Sequence, residues 1–540
     1  MGADQCLPSA PEDFPYFLLN LRQKDKIVAV HADKEVLDVV QRCITESWGK
    51  IQAEKSKYGA ARVYKLSGYP FCRDNTTEVS VILKRTCCCL LSELRKIGWQ
   101  LILSSNLTKE TFSTTWIFQR MRVPQPESSG IFCLSISSTD KIQLIGAPLF
   151  LRTVLKEVVG QSFQRDSLPS GEYEVQLVGR PWKYGQDRSA SIFARKLILA
   201  VVVAFRRHGY EICGTGNPKG TADCIFFKQC TDSDSSTDMI MISVNSCDCV
   251  RVFDAPQTVV DAIREAVVDW PGGMQSGQQN EKENYTEFKL SGRPWDCNGV
   301  LSALAKKLIA GILEKLLSCG WKVGGAIQLS RKAQDKNVFI LSRTSPTNAR
   351  HVCAMPSAKD KLKLINMPPD LLKQSRAIID TYWPFGVQAE DAPNSPEVYE
   401  IKLRGHPWVG GRGYWHYAIA AQNMLLVLLY KLHSSGYTLV ASADVSGKFD
   451  SDDTNRPLTV HNWFFAQTNI YEPDSGYASA SGSAVSSEAT LERFFHPPPP
   501  PPYQQVEEMG EAAGRRPLTV RLPPPPAYDE VVDCANKQSN

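Results

Sequence analysis

The chain has 540 residues, 43% hydrophobic and 22% charged, with 61 Lys and Arg against 57 Asp and Glu. At roughly 150 residues per domain this is three or four compact units, large enough to need no disulfide or metal for size alone. A net charge of +4 is too small for a surface built throughout to hold nucleic acid, so no nucleic-acid partner is expected.

The first residues have no basic region followed by an apolar run, so no secretory leader is expected. Gly2 and Cys6 lie close to the M-G-x-x-x-[ST] acylation pattern, with Cys in its last position, and are candidate lipidation sites giving peripheral membrane association. Asp4 and the lack of nearby lysines argue for an ordinary start. Residues 14–50 then read strand, strand, helix.

Four segments farther on share one pattern: VYKLSGYPF from Val63, YEVQLVGRPW from Tyr173, EFKLSGRPW from Glu287 and VYEIKLRGHPW from Val398. Each alternates like a half-buried strand and breaks at Gly-X-Pro. Their glycines, Gly68, Gly179, Gly292 and Gly405, are spaced 111, 113 and 113 residues apart. A helical stretch follows each (81–96, 192–207, 301–317, 417–432) and stops at Gly plus an aromatic, as in Gly98-Trp99 and Gly320-Trp321. Glycine past a helix takes the left-handed conformation cheaply.

Further strands and a second helix (149–159, 258–268, 371–382) complete each unit. The reading is β-α-β-β-β-β-α, an α+β fold with an antiparallel sheet and both helices covering one face. On this phase three units are continuous, at 62–163, 172–272 and 285–387. Residues 14–50 supply only the second half of a unit and 397–470 only the first. Either half alone leaves an open strand edge and a bare apolar face. The two are therefore expected to pair across the chain ends as a fourth unit that closes the array.

Several local motifs read as structural. Gly214-Thr215-Gly216 with Gly220 has the wrong spacing for a dinucleotide loop and leads into a strand. Cys87-Cys88-Cys89 and Cys247-Asp248-Cys249 lack a second ligand pair at zinc spacing and read as core thiols. No metal, no cofactor and no catalytic constellation is expected. The 16 cysteines suit a reducing compartment, cytoplasmic or nuclear. No stretch reaches the ~18–20 uninterrupted apolar residues of a membrane span. The apolar runs 197–205 and 425–429 read as buried amphipathic helices.

The Gly-X-Pro-Trp corners are candidates for surface binding through Arg180, Trp182, Arg293, Trp295, His406 and Trp408, since an arginine near tryptophan recognises phosphate or peptide. The plainer reading is that proline fixes the bend and tryptophan plugs the core. Gly410, Gly411, Arg412 and Gly413 precede a helix and, with His406 close by, form the best small-ligand candidate, since amides at a helix start beside an arginine can hold an anion. A permissive glycine turn is the plainer reading.

From residue 471 to 540 the composition shifts to Ser, Ala, Gly and Pro, with prolines at 497–502 and 523–526. Such a segment buries too little apolar surface to fold and is expected to be disordered or polyproline II. It holds two PPxY motifs, Pro500-Pro501-Pro502-Tyr503 and Pro525-Pro526-Ala527-Tyr528. WW domains bind this pattern because proline presets the extended helix and tyrosine fills a neighbouring slot. Pro500, Pro501, Tyr503, Pro525, Pro526 and Tyr528 are thus the expected WW contacts. The tyrosines stand 25 residues apart, a span of about 28 Å for a flexible chain, which suits two WW domains of one partner. The tail resembles those of adaptors that recruit HECT-type ubiquitin ligases.

The leading expectation is a non-enzymatic adaptor that binds WW-domain proteins through its tail and an unidentified client through its repeats. One alternative is an enzyme or small-ligand (phosphate) receptor with a site between repeats. The other is a membrane-trafficking protein using the Tyr-X-X-Val signals at Tyr503 and Tyr528.

Overall fold

Every residue of the first strand, β1 (Tyr16–Arg22), is buried. A strand dry on both faces needs helices on each side of its sheet. The computed structural model describes residues 8–467 apart from 12–13, 58, 60, 73–74, 111–112, 125–129, 184–186, 219–221, 231–235, 330–334, 392–396, 412 and 449–457.

After β1 come β2 (Lys26–Val30) and α1 (Lys34–Ser47). The Asp33 carboxylate starts α1 by accepting the Val36 amide at 2.8 Å. Then follow β3 (Ile51–Lys57), β4 (Ala61–Leu66), α2 (Thr77–Lys96), β5 (Trp99–Ser105) and β6 (Ser113–Arg120). The strands form one antiparallel sheet in the order β3-β4-β2-β1-β6-β5.

The same eight elements recur three times. The second unit holds β7 (Phe132–Ser137), β8 (Lys141–Ile145), α3 (Phe150–Val159), β9 (Phe163–Ser167), β10 (Tyr173–Leu177), α4 (Arg188–Arg207), β11 (Tyr210–Gly216) and β12 (Cys224–Gln229). In the third are β13 (Met239–Asn245), β14 (Cys249–Phe253), α5 (Gln257–Val268), β15 (Met274–Asn280), β16 (Tyr285–Leu290), α6 (Gly299–Ser318), β17 (Trp321–Ile327) and β18 (Asp335–Arg343). The fourth has β19 (His351–Ser357), β20 (Lys361–Ile365), α7 (Pro369–Tyr382), β21 (Val387–Asp391), β22 (Val398–Leu403), α8 (Trp415–Ser434), β23 (Tyr437–Ala443) and β24 (Asn462–Gln467). The fold is α+β: four six-stranded antiparallel sheets, each with two helices.

The phase of the repeat differs from the sequence expectation. Units at 62–163, 172–272 and 285–387 each cut across two sheets, because β4 pairs with β2 (Lys26 opposite Lys65) and β6 with β1 (Tyr16 opposite Gln119). No unit is split between the chain ends. Residues 14–50 close their sheet with the segment that follows them, and Asn462–Gln467 lies between β19 and β23. A pairing within about 100 residues closes a shorter loop than one joining the two ends of the array, and so loses less chain entropy. Each unit also has a sixth strand (β3, β9, β15, β21) that the sequence reading omits. These outer-edge strands are mostly exposed and polar, so they give no apolar alternation to read.

The array nevertheless closes, by packing. The inner-edge strands meet in a ring: β5 lies against β11, β11 against β17, β17 against β23, and β23 against β5. The second helix of each unit also reaches the next sheet, α2 to β7, α4 to β13, α6 to β19 and α8 back to β1. Each core is therefore shared. The core around α8 contains Tyr16, Leu18 and Val28 from the first unit beside Leu425 and Leu429. This accounts for the apolar run in α8, where every residue from Ala418 to Leu429 is buried. No helix among the described residues is long and apolar enough to cross a membrane.

Candidate functional site

The repeated corners come first, since they carry the residues singled out for binding. All four glycines are left-handed, with φ of 69° at Gly68, 78° at Gly179, 73° at Gly292 and 90° at Gly405. A side chain at Gly405 would also meet the Tyr417 ring at 2.3 Å, so the corner needs glycine twice over. Beyond the bend Trp182, Trp295 and Trp408 are buried, and each indole N–H donates to the first carbonyl of the second strand of its own sheet. The acceptors are Lys141 at 3.1 Å, Cys249 at 3.1 Å and Lys361 at 2.9 Å. Phe71 takes the same post in the first unit.

The corners do not assemble a ring of surface aromatics. Arg180 and Arg293 are exposed, and Arg293 pairs with Asp296. His406 is half-buried, with its ring edge-on to Tyr414. Three thiols of the cysteine motifs are core groups, Cys87 and Cys88 in the core between the first two units and Cys249, whose thiol burial pushes up to about 12, whereas Cys89 and Cys247 are half-buried. Among the described residues no His, Cys, Asp and Glu group could hold a metal.

At the ring axis the four inner strands surround an opening of about 250 Å³. Each carries a bulge at the equivalent place, at Leu101/Leu103, Ile212/Gly214, Val323/Gly325 and Leu439/Ala441. A bulge twists an edge and stops it from pairing further, so the four sheets stay separate. Gly214 lets β11 approach β5 closely, for a side chain there would fall 2.4 Å from Leu101 Cδ2.

Polar chemistry is concentrated at the seams between units, which sequence reasoning missed. The eighth residue of each second helix is buried and polar: Lys84, Arg195, Lys306 and Gln422. At three seams the facing sheet carries a carboxylate. Lys84 Nζ donates to Gln143 Oε1 at 2.9 Å, and Gln143 Nε2 donates to Glu174 at 2.7 Å. Arg251 donates to Glu287 at 2.6 Å, and Lys363 lies 3.1 Å from Glu400. The signal was present as a cation seven residues after the start of three of the four helices, with Gln422 in the fourth, but only three-dimensional superposition of the units gives it a place.

His351 at the third seam is fully buried beside the Ala349 carbonyl, and burial holds its imidazole down at about 4. The fold therefore keeps it neutral, while the unfolded chain protonates near 6.5. Stability from this residue is complete above about pH 6.5 and is lost as pH falls toward 4. Urea midpoints at about pH 7 and about pH 5 should differ more for the wild-type chain than for His351→Gln.

The fourth seam is built differently. Glu110, in the loop after β5, accepts the Gly411 amide and lies 3.3 Å from Arg22 Nη2. Arg22 is only 1% exposed and stacks on Trp415. The Gly411 amide of the glycine turn before α8 is thus taken by a carboxylate of the chain itself. Arg412 lies outside the described residues, as do Gly2, Cys6, both PPxY motifs and the whole tail at 471–540.

One family model, for a single repeated domain, matches the chain four times, at residues 15–119, 130–229, 238–342 and 350–466. The chain belongs to that family. Each match begins at the first strand of a sheet and ends at its sixth, so the family domain is the unit seen in the structure, β-β-α-β-β-α-β-β. No curated protein and no solved structure matches it.

Proposed function

We propose that the protein is an adaptor: the ring holds a client, and the tail recruits a WW-domain protein of the HECT-type ubiquitin ligase class. The observation that carries this reading is the pair of PPxY motifs at Tyr503 and Tyr528, placed after the last strand of the ring. Each of the four six-stranded sheets is formed by residues up to Gln467, and the motifs follow in the sequence after it. Two motifs about 28 Å apart engage tandem WW domains at once, and such bivalency raises apparent affinity by roughly 10²–10⁴.

The test is capture of the full chain on an immobilised tandem WW module. Tyr503→Ala or Tyr528→Ala alone should remove the bivalent gain, and the double variant should abolish capture. Phosphorylation of either tyrosine should weaken binding, because it puts about −1.5 to −2 charges into an apolar slot. Equal capture of the double variant, or no capture of the wild-type chain, would overturn the proposal.

A further inference from the structure

The charge pattern of the repeat breaks in the first unit. In the other three, the strand carrying Glu174, Glu287 or Glu400 sets a carboxylate against the cation of the neighbouring strand: Lys141 at 2.7 Å, Arg251 at 2.6 Å and Lys363 at 3.1 Å. Strand register puts Val63 at that place in the first unit, opposite Val28. Lys26 is the counterpart of Lys141 and Lys361 in the register. It donates instead to Gln23 Oε1 at 2.7 Å, and neighbouring Asp25 also faces Lys65 at 3.9 Å.

Here a cleft of about 720 Å³ opens between β2, β3, β4 and the start of α8. Five lysines line it, Lys24, Lys26, Lys55, Lys57 and Lys65, and among its described lining residues Asp25 is the single carboxylate. Glu54 on β3 is turned to Arg62, 3.1 Å away. Tyr69 and Trp415 supply aromatic wall, with Lys24 Nζ 5.5 Å from the Tyr69 ring. Burial, opposed by Asp25 and reinforced by Arg22, Lys57 and Lys65, holds the Lys26 ammonium below the usual lysine range. Like charges gathered in a cleft repel one another and focus a field that draws in counter-ions.

We propose that this cleft binds a compact ligand carrying several phosphate groups, such as an inositol polyphosphate, either free or as the headgroup of a phosphorylated lipid. The volume fits a small molecule rather than a macromolecule. Lysines suit the task because each brings a point charge on a flexible stem that can close on phosphates of any orientation. The missing carboxylate at Val63 is what leaves the charge for an outside anion.

The test uses the full chain with inositol hexakisphosphate in a calorimeter, and flotation with phosphatidylcholine vesicles with and without a phosphorylated inositol lipid. Saturable binding that weakens with salt is expected, and the vesicle arm decides between the free and the lipid-borne ligand. Lys55→Glu with Lys57→Glu sits on an exposed edge strand and should lower affinity at least about tenfold without lowering the melting temperature. Val63→Glu, which restores the carboxylate of the other units, should also lower the affinity, read on chain shown by its melting curve to be folded, because Val63 packs partly against the apolar core. Absence of binding to both probes would overturn the proposal. So would undiminished binding by the Lys55/Lys57 double variant, or a single-stranded oligonucleotide binding more tightly than hexakisphosphate. The cleft is lined by residues between Gln23 and Ile419, and the proposal therefore expects Tyr503→Ala with Tyr528→Ala to leave this binding unchanged.

Discussion

Glu110→Ala is expected to weaken the ring at its closing seam by about 3–5 kcal/mol, the usual loss when one partner of a buried ion pair is removed. Glu110 comes from the first unit and meets the fourth, where it accepts the Gly411 amide. It also faces the guanidinium of Arg22, which is 1% exposed against Trp415. Without the carboxylate, a desolvated cation loses one of its partners and the Gly411 amide loses the acceptor it has in Glu110. Glu110→Gln keeps a hydrogen-bond acceptor of the same shape but no charge, so it should fall between wild type and alanine. The measurements are the urea midpoint by tryptophan fluorescence and the rate of proteolysis near the glycine turn. A midpoint unchanged in Glu110→Ala would show that α8 and β1 hold this seam by apolar packing alone.

That seam also marks where sequence reading succeeds and where it stops. The count of four, the sheet-plus-two-helices content and the corner glycines follow from local rules: alternation, helix-stop glycines and a fixed spacing. Phase does not, because a repeat read from its most conspicuous motif has an arbitrary origin. Only the pairing of β4 with β2 and β6 with β1 fixes it. The outer strands were illegible because exposed positions such as those of β15, MQSGQQN, are free of apolar constraint. At the candidate sites, the glycine turn reads from sequence as a small-ligand candidate beside the plainer reading of a permissive turn, and the carboxylate that takes its Gly411 amide, Glu110, lies 301 residues away in sequence. The basic cleft was equally hidden, since Val63 becomes notable only when set beside Glu174, Glu287 and Glu400 in register.

Trp295→Ala should cost about 3–5 kcal/mol, the range for deleting a large aromatic from a packed core. Trp295 is 0% exposed and its indole donates to the Cys249 carbonyl at 3.1 Å, so the variant leaves both a cavity and an unmatched acceptor. Trp295→Phe should be far milder, about 1–2 kcal/mol, because the first unit already places Phe71 at the equivalent corner. The core that holds Trp295 also contains Cys353, Ile365 and Phe464 from the fourth unit. A defect in the third unit is therefore felt across its seam, and unfolding of Trp295→Ala should remain one cooperative transition at a lower denaturant midpoint. Two resolved transitions, one for a single unit and one for the other three, would mean that the shared cores do not couple neighbours. The packing argues otherwise: each second helix lies between its own sheet and the next, so no unit can melt without stripping one face of its neighbour.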